Sequence, residues 1–404
     1  MNERQDVLVV GGGPAGSATA LRLARAGRRV TLLDRAAFPR DKACSEYLSP
    51  ETVRHLHALG VLPDLDSHAS AAPLAGTNVT AARGAALQGR FAAAGGSPFR
   101  PTGLALPRRV LDATLLDAAR RAGVDVRERE LVTDISPQPD GSMELTARDA
   151  DGHATRHAAR VVVGADGLGS RVARASGLRR QGWLKRTAFV AHVRDVPGLA
   201  GAADMHVGAA GYVGLNPMGA GCTNVALVVP TDEAAAARGN PTDFFFDRLE
   251  RFPGVRGRVQ RERMVRDVMV TGPFDASCRR SAADGLLLVG DAADFFDPFT
   301  GEGICAALAG ATLAATVLDE ALAAPGPLTA RRLARYRTLR RQHFLGKWIV
   351  ERMIGYAMLT PALFDRAVGR LDRRGMADTL IGVTGDFISP WRVLNPVFLT
   401  KMIF

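Results

Sequence analysis

The sequence predicts an α/β fold: a Rossmann-like domain assembled from separated stretches of chain, an inserted and mostly antiparallel β-sheet domain, and a C-terminal helical region. Three observations carry this. Residues 6–34 read strand, glycine turn, helix, strand, the signature of a βαβ unit in a parallel sheet. Two more strand-to-glycine turns, RVVVGADG and LLLVGDAAD, lie far downstream at 160–167 and 286–294. Between them, over 183–271, the texture changes to alternating strand-like runs.

The first unit comprises strand DVLVV, helix GSATALRLARAG and strand RVTLLD. PRRVLDATLLDAARRAG then sets Val110, Leu111, Leu115 and Ala118 on one helical stripe. Strand GVDVRE follows, and DISPQPDGSMELTAR reads as a hairpin turning at Pro139-Asp140-Gly141. ARVVVGADG returns to the sheet. In the insert, RTAFVAHVRDV, ADMHVGAAGYVGLN, TNVALVVP and MVRDVMVTG are strand-like, and PTDFFFDRLERF is helix-like. The boundaries expected are 1–75, 102–180 and 272–328 for the discontinuous nucleotide-binding domain, 76–101 and 181–271 for a substrate domain, and 329–404 for the helical region.

With 404 residues, 47% hydrophobic and 23% charged, the composition is globular and long enough for two or three domains. The 52 basic and 41 acidic residues leave a net +11, a field that favours anionic partners. Nucleic acid is not an expected partner. Cys44, Cys222, Cys278 and Cys305 form no CxxC pair, so reduced thiols and a cytoplasmic location are expected. MNERQDVLVVGGG passes from charged residues straight into a strand, unlike a signal peptide. No uninterrupted apolar run reaches the ~18 residues that span a bilayer.

Gly11-x-Gly13-x-x-Gly16, with Pro14 and Ala15 between, follows strand VLVV and opens a helix. The first glycine permits the tight turn, and the second lets backbone approach a pyrophosphate. The third allows close helix–strand packing, and the helix N-terminus supplies free N–H groups. Asp34 ends the second strand near the ~20-residue spacing at which a carboxylate takes ribose hydroxyls. Downstream, Asp166 sits in Gly164-Ala165-Asp166-Gly167, and Gly290-Asp291 closes a buried strand. Pro298, Gly301, Gly303 and Ile304 then lead into a helix whose N-terminus can face an electron-rich ring.

Together GGGPAG, GADGLGSRV and GDAADFFDPFTGEGI resemble the FAD-dependent oxidoreductases of the p-hydroxybenzoate hydroxylase fold, over residues 6 to about 325. The resemblance implies a GR2-type domain binding one FAD through all three stretches. It also makes Arg108, in RxxLD with Asp112, a cofactor-side arginine, and Arg35 a solvated or flavin-edge arginine rather than a 2′-phosphate reader. FPRDKACSEYLSP, residues 38–50, is similar to a segment of the geranylgeranyl-reductase-like branch, with Ser45 replacing its usual glycine. Asp294, Glu302 and Cys305 depart from the aromatic hydroxylase pattern.

That branch implies hydride transfer from reduced flavin to a C=C bond of a prenyl, alkyl or polyketide-like substrate, with NAD(P)H as donor. The alternative is a monooxygenase that hydroxylates an aromatic or polyketide substrate. GYVGLNPMGAG has no tryptophan where halogenases carry theirs, so halogenation is disfavoured; Tyr212, Asn216 and Pro217 become the substrate candidates. In the reductase-like segment the catalytic candidates are Cys44, a redox thiol or else a small packing residue beside the cofactor, and Glu46 and Tyr47, which could orient a substrate or relay a proton. His55 and His57 lie two apart and form no metal site. Residues 331–354 carry eight Lys/Arg against one acid with Tyr336, Phe344 and Trp348 interspersed. That composition suits a helix resting on an anionic membrane, and helices that pad the FAD-binding domain and wall the substrate cavity would look similar. A carrier or redox partner protein is a further expectation.

Overall fold

The computed structural model describes residues 5–237 and 239–403. Five parallel strands form the centre of the largest sheet, in the spatial order Leu286–Leu288, Ala154–Gly164, Gln5–Val10, Val30–Asp34 and Asp125–Glu128. Their continuous apolar runs follow from burial on both faces; Val7, Leu8, Val9 and Val161 to Val163 are fully buried. Helices Pro14–Arg25, Arg108–Arg121 and Gly303–Leu322 pack against the sheet and each other. The hairpin Leu131–Pro137 and Met143–Arg148 pairs with the outer half of Ala154–Gly164.

Strand order reverses at Gln5–Val10, whose neighbours are the second and the fourth strands in chain order. A crevice opens outside the carboxyl ends of strands at such a switch point. Asp34 ends one of these parallel strands, and Gly11, Asp166 and Gly290-Asp291 follow the carboxyl ends of three others. That shared edge explains why distant motifs meet.

A seven-stranded sheet faces this crevice, in the order Met264–Thr271, Arg186–Arg194, Cys222–Pro230, Tyr212–Pro217, Ala203–Val207, Gly76–Thr80 and Ala86–Arg90. It is antiparallel except where Ala203–Val207 meets Gly76–Thr80. Helix Pro241–Leu249 covers one face through Phe244 and Phe245, which pack with Phe189. Ala188, Val190, Tyr212 and Val228 belong to the opposite core, which also holds Phe364, Val368 and Leu371 from the C-terminal helix Pro361–Arg373.

Two helices bear on the membrane expectation. Helix Gly303–Leu322 is long and apolar enough to cross a membrane, but it is a core helix with 61% of its apolar window buried. In helix Ala334–Ala357 the aromatic stripe turns inward: Tyr336, Arg340, Phe344 and Lys347 are buried. Arg340 pairs with Asp294 and Lys347 with Asp386. Two of the cations that made the segment read as interfacial, Arg340 and Lys347, thus meet carboxylates that arrive from other parts of the chain.

Candidate active site

The first loop is shaped by atoms that leave no space for side chains. Gly11 adopts φ +105°, and a Cβ there would lie 2.5 Å from the Ala165 carbonyl oxygen. A Cβ on Gly16 would lie 1.8 Å from the Gly11 oxygen. Gly13 is open in front, with Arg108 Nη2 and Arg40 Nη2 at 3.7 and 3.8 Å from the same built position. No side chain caps the helix that begins at Pro14. A diphosphate fits between those free N–H groups and the two guanidinium groups.

The flanking acids have different duties. Asp34 accepts from Gly12 N at 2.7 Å and from Ala36 N at 2.8 Å, so its carboxylate holds the glycine loop in place. Arg35 is exposed and lies outside the cavity lining, which makes it the solvated arginine of the two alternatives and not a flavin-edge one. Asp166 accepts from Ser170 Oγ and Arg171 N, both at 2.6 Å, and so fastens the start of helix Arg171–Ala175. It is the backbone of Ala165 and Gly167, not the Asp166 carboxylate, that borders the cavity.

That cavity, about 1400 Å³ including its open side, lies between the Gly290–Gly303 loop, segment 42–47 and the seven-stranded sheet. Its polar groups gather at the loop end. Arg108 is buried and bidentate to Asp112, at 2.7 Å through both nitrogens. Burial works to lower its pKa, but Asp112 holds it above the usual arginine value. Lys42 makes no ion pair among the described residues; burial and then Arg108 lower its pKa. Burial raises that of Asp291, opposed by Lys42 and Arg108. An unpaired lysine, an arginine held by one acid and a buried carboxyl in one cavity fit a ligand bearing phosphates and hydroxyls, as FAD does.

The turn beyond Asp291 forms the floor. Gly290, at φ +61°, packs against Ala15, since a Cβ there would lie 2.9 Å from the alanine methyl. Pro298, Gly301, Gly303 and Ile304 all border the cavity. Gly301, at φ +73°, lies under the Tyr47 ring. Asp297 anchors the turn to the other sheet: it accepts from Tyr212 Oη at 2.7 Å, Arg186 Nη1 at 2.9 Å and Phe299 N at 3.0 Å.

Segment 41–46 is gripped by a polar row. Asn216, Asn224, His192 and Arg266 are successive register partners on four strands of the seven-stranded sheet. Asn216 Nδ2 donates to Ser45 O at 3.0 Å, and Asn224 Nδ2 to Cys44 O at 2.8 Å. Glu46, fully buried at φ +56°, receives His192 Nε2 at 2.5 Å, Asn224 Nδ2 at 2.8 Å and Arg108 N at 2.8 Å. Arg266 lies 3.6 Å from both Glu46 and Asp41. The Glu46 carboxylate is thus enclosed behind the cavity wall, where it positions segment 41–46 and cannot relay a proton to substrate.

Cys44 borders the cavity, and its sulfur accepts from Glu46 N at 3.4 Å. All four cysteines are free thiols, and Cys305 clusters with Glu302 and Asp386 instead, so Cys44 has no disulfide partner. Tyr47 borders the cavity with Thr77, its hydrogen-bond partner; burial and then Glu302 raise its pKa well above the usual phenol value. Tyr212 and Asn216 line the cavity but spend their donors on Asp297 and Ser45; Pro217 lies outside the lining. Lys42, Arg186, Asn224 and Asp297 were not among the sequence candidates. Asp297 carried a signal, as the residue before Pro298 in a glycine-rich turn. Arg186 and Asn224 carried none, because register alone brings them there.

Residues 4–346 match the model of the FAD binding domain family, and the chain belongs to that family. It is an FAD-dependent oxidoreductase. A menaquinone reductase of Mycolicibacterium smegmatis is 30% identical over 89% of this chain and 86% of its own. A digeranylgeranylglycerophospholipid reductase of Methanosarcina mazei is 29% identical over 80% of this chain and 77% of its own. Among solved structures, a flavoprotein/dehydrogenase from Cytophaga hutchinsonii superposes with a TM-score of 0.83 at 21% identity, covering 99% of this chain and 96% of its own. The flavin-dependent halogenase CmlS superposes with a TM-score of 0.76 at 25% identity, covering 99% and 78%.

Proposed function

We propose that the protein reduces a C=C bond of a hydrophobic molecule bearing a prenyl or alkyl chain, with NAD(P)H as the electron donor. The observation that carries this is the cavity wall opposite the polar end. Val190, Met205, Leu215, Val228, Phe274 and Phe299 line it, and they would solvate a hydrocarbon chain better than a polar ring. Bound FAD supplies hydride from its reduced ring. Gly13, Lys42 and Arg108 hold the phosphates, and Asp291 takes ribityl hydroxyls. Phe295 and Phe299 exclude water, and Tyr47, which retains its proton, stands at the cavity to donate it to the second carbon. The relatives named for reducing menaquinone and a digeranylgeranyl lipid support this reading.

A second reading, a monooxygenase, draws on the closed junction of Tyr212, Asp297 and Arg186, whose burial would shelter oxygen chemistry from water. The test is anaerobic incubation of reduced holoenzyme with a menaquinone and with a geranylgeranyl lipid, followed by mass spectrometry. A product gaining two hydrogens without oxygen supports reduction. A product formed only in air and gaining one oxygen atom replaces it with the second reading.

Peripheral membrane contact belongs to the same proposal, through exposed Trp183, Tyr356, Leu359 and Leu363. Trp183 and Tyr356 stack at 5.4 Å. Sedimentation with vesicles that is unchanged in Trp183→Ser/Leu359→Ser removes this contact.

A further inference from the structure

The basic aromatic helix Ala334–Ala357 walls a second cleft, on the far side of the Gly290–Gly303 loop from the main cavity. Arg337, Arg340 and Arg352 of that helix converge there with Arg279 and Arg280, which follow strand Ala276–Cys278. The cleft encloses about 1010 Å³ including its open side. Asp294 is its one carboxylate among the described residues, and it is already paired with Arg340. Arg279, Arg280 and Arg337 have no ion-pair partner among the described residues.

The overall basic charge does not account for this. Several arginines elsewhere meet acids, as Arg28 does Asp319, Arg120 does Asp117 and Glu128, and Arg335 does Glu320. Here five guanidinium groups from two chain segments share a concave surface with one acid, and an incoming anion would relieve their mutual repulsion. Guanidinium forks match phosphate oxygens two at a time. The side-chain hydroxyls of Ser277 and Ser281 border the cleft without protein partners among the described residues. The half-buried Trp348 adds a flat wall, stacked on Phe344 at 6.0 Å, of the kind that receives a planar ring.

We propose that this cleft is a second nucleotide site, distinct from the FAD cavity, and that it takes a nucleotide carrying two or more phosphates. Phosphates lie among Arg279, Arg280 and Arg337, and the base lies toward Trp348. A narrower polar recess bordered by Asp294, Arg340 and Trp348 continues to Asp291, Thr300 and Gly303, which also border the main cavity. The site therefore abuts the flavin loop from behind. Its existence does not depend on the reaction proposed above, and binding is measured apart from turnover.

The experiment is calorimetric titration of oxidised, FAD-loaded protein with ADP and with inorganic pyrophosphate in phosphate-free buffer. Both bind the wild type. Arg279→Ala/Arg280→Ala weakens both by at least ~10-fold, as expected for lost charge-assisted hydrogen bonds, with FAD content and visible spectrum unchanged. Arg337→Ala weakens both independently, while Trp348→Leu weakens ADP more than pyrophosphate. No binding of either probe at millimolar concentration overturns the proposal, as does binding that the arginine variants leave intact. Arginine-dependent sedimentation with anionic phospholipid vesicles, without binding of ADP or pyrophosphate, also overturns it and assigns the cleft to lipid headgroups.

Discussion

Arg186 and Asp297 join the seven-stranded sheet to the turn on which the flavin end of the site is built, and their charges are almost wholly withdrawn from water. The side chains are 6% and 3% exposed and the nitrogen–oxygen distance is 2.9 Å. Removing one member of a buried pair strands the other, at a cost of about 3–5 kcal/mol. Arg186→Met leaves the carboxylate with the Tyr212 hydroxyl and Phe299 N as its remaining donors. Asp297→Asn can still accept from Tyr212, so a cost near 3 kcal/mol is expected for that variant. The double variant buries neither charge, so its cost falls short of the sum by about 2 kcal/mol. Urea denaturation of FAD-loaded protein at pH 7 measures the cycle. Single variants should also retain less FAD, because Asp297 sets the turn that leads to Gly301 and Gly303. Costs that add within about 0.5 kcal/mol would refute the reasoning, since a coupled pair cannot behave as two independent sites.

Gly16→Ala should abolish FAD binding, because its Cβ would fall 1.8 Å from the Gly11 oxygen with no flexible atom to yield; flavin fluorescence after desalting checks this. Asp291→Ala should purify with reduced flavin occupancy, and full occupancy would remove its assigned role. Glu351 is raised from 4.5 to about 7 by burial, which Lys347 opposes and Asp386 reinforces. The folded state therefore favours its protonated form, and the associated stability is fully present below pH 4.5 and lost as pH rises to about 7. Glu351→Gln should gain up to about 3 kcal/mol over wild type at pH 8 and nothing at pH 4, read from thermal or urea unfolding at the two pH values.

The sequence by itself determined the parallel strands, the glycine loops and their shared ligand. Those features answer to local physics: VLVV and RVVV are apolar because both faces of their sheet are covered, and Gly11, Gly16 and Gly290 are glycines because backbone or side-chain atoms fill the space a Cβ needs. Only the tertiary structure decided the duties of the polar residues. Glu46 meets His192 across 146 residues and Asn224 across 178, through the register of strands in another sheet. No local spacing encodes such a meeting. The same holds for the basic aromatic helix, whose Arg340 and Lys347 turn inward because Asp294 and Asp386 are carried to them by the rest of the fold. A charged residue's environment depends on which counter-charge reaches it, and distant contacts supply that counter-charge.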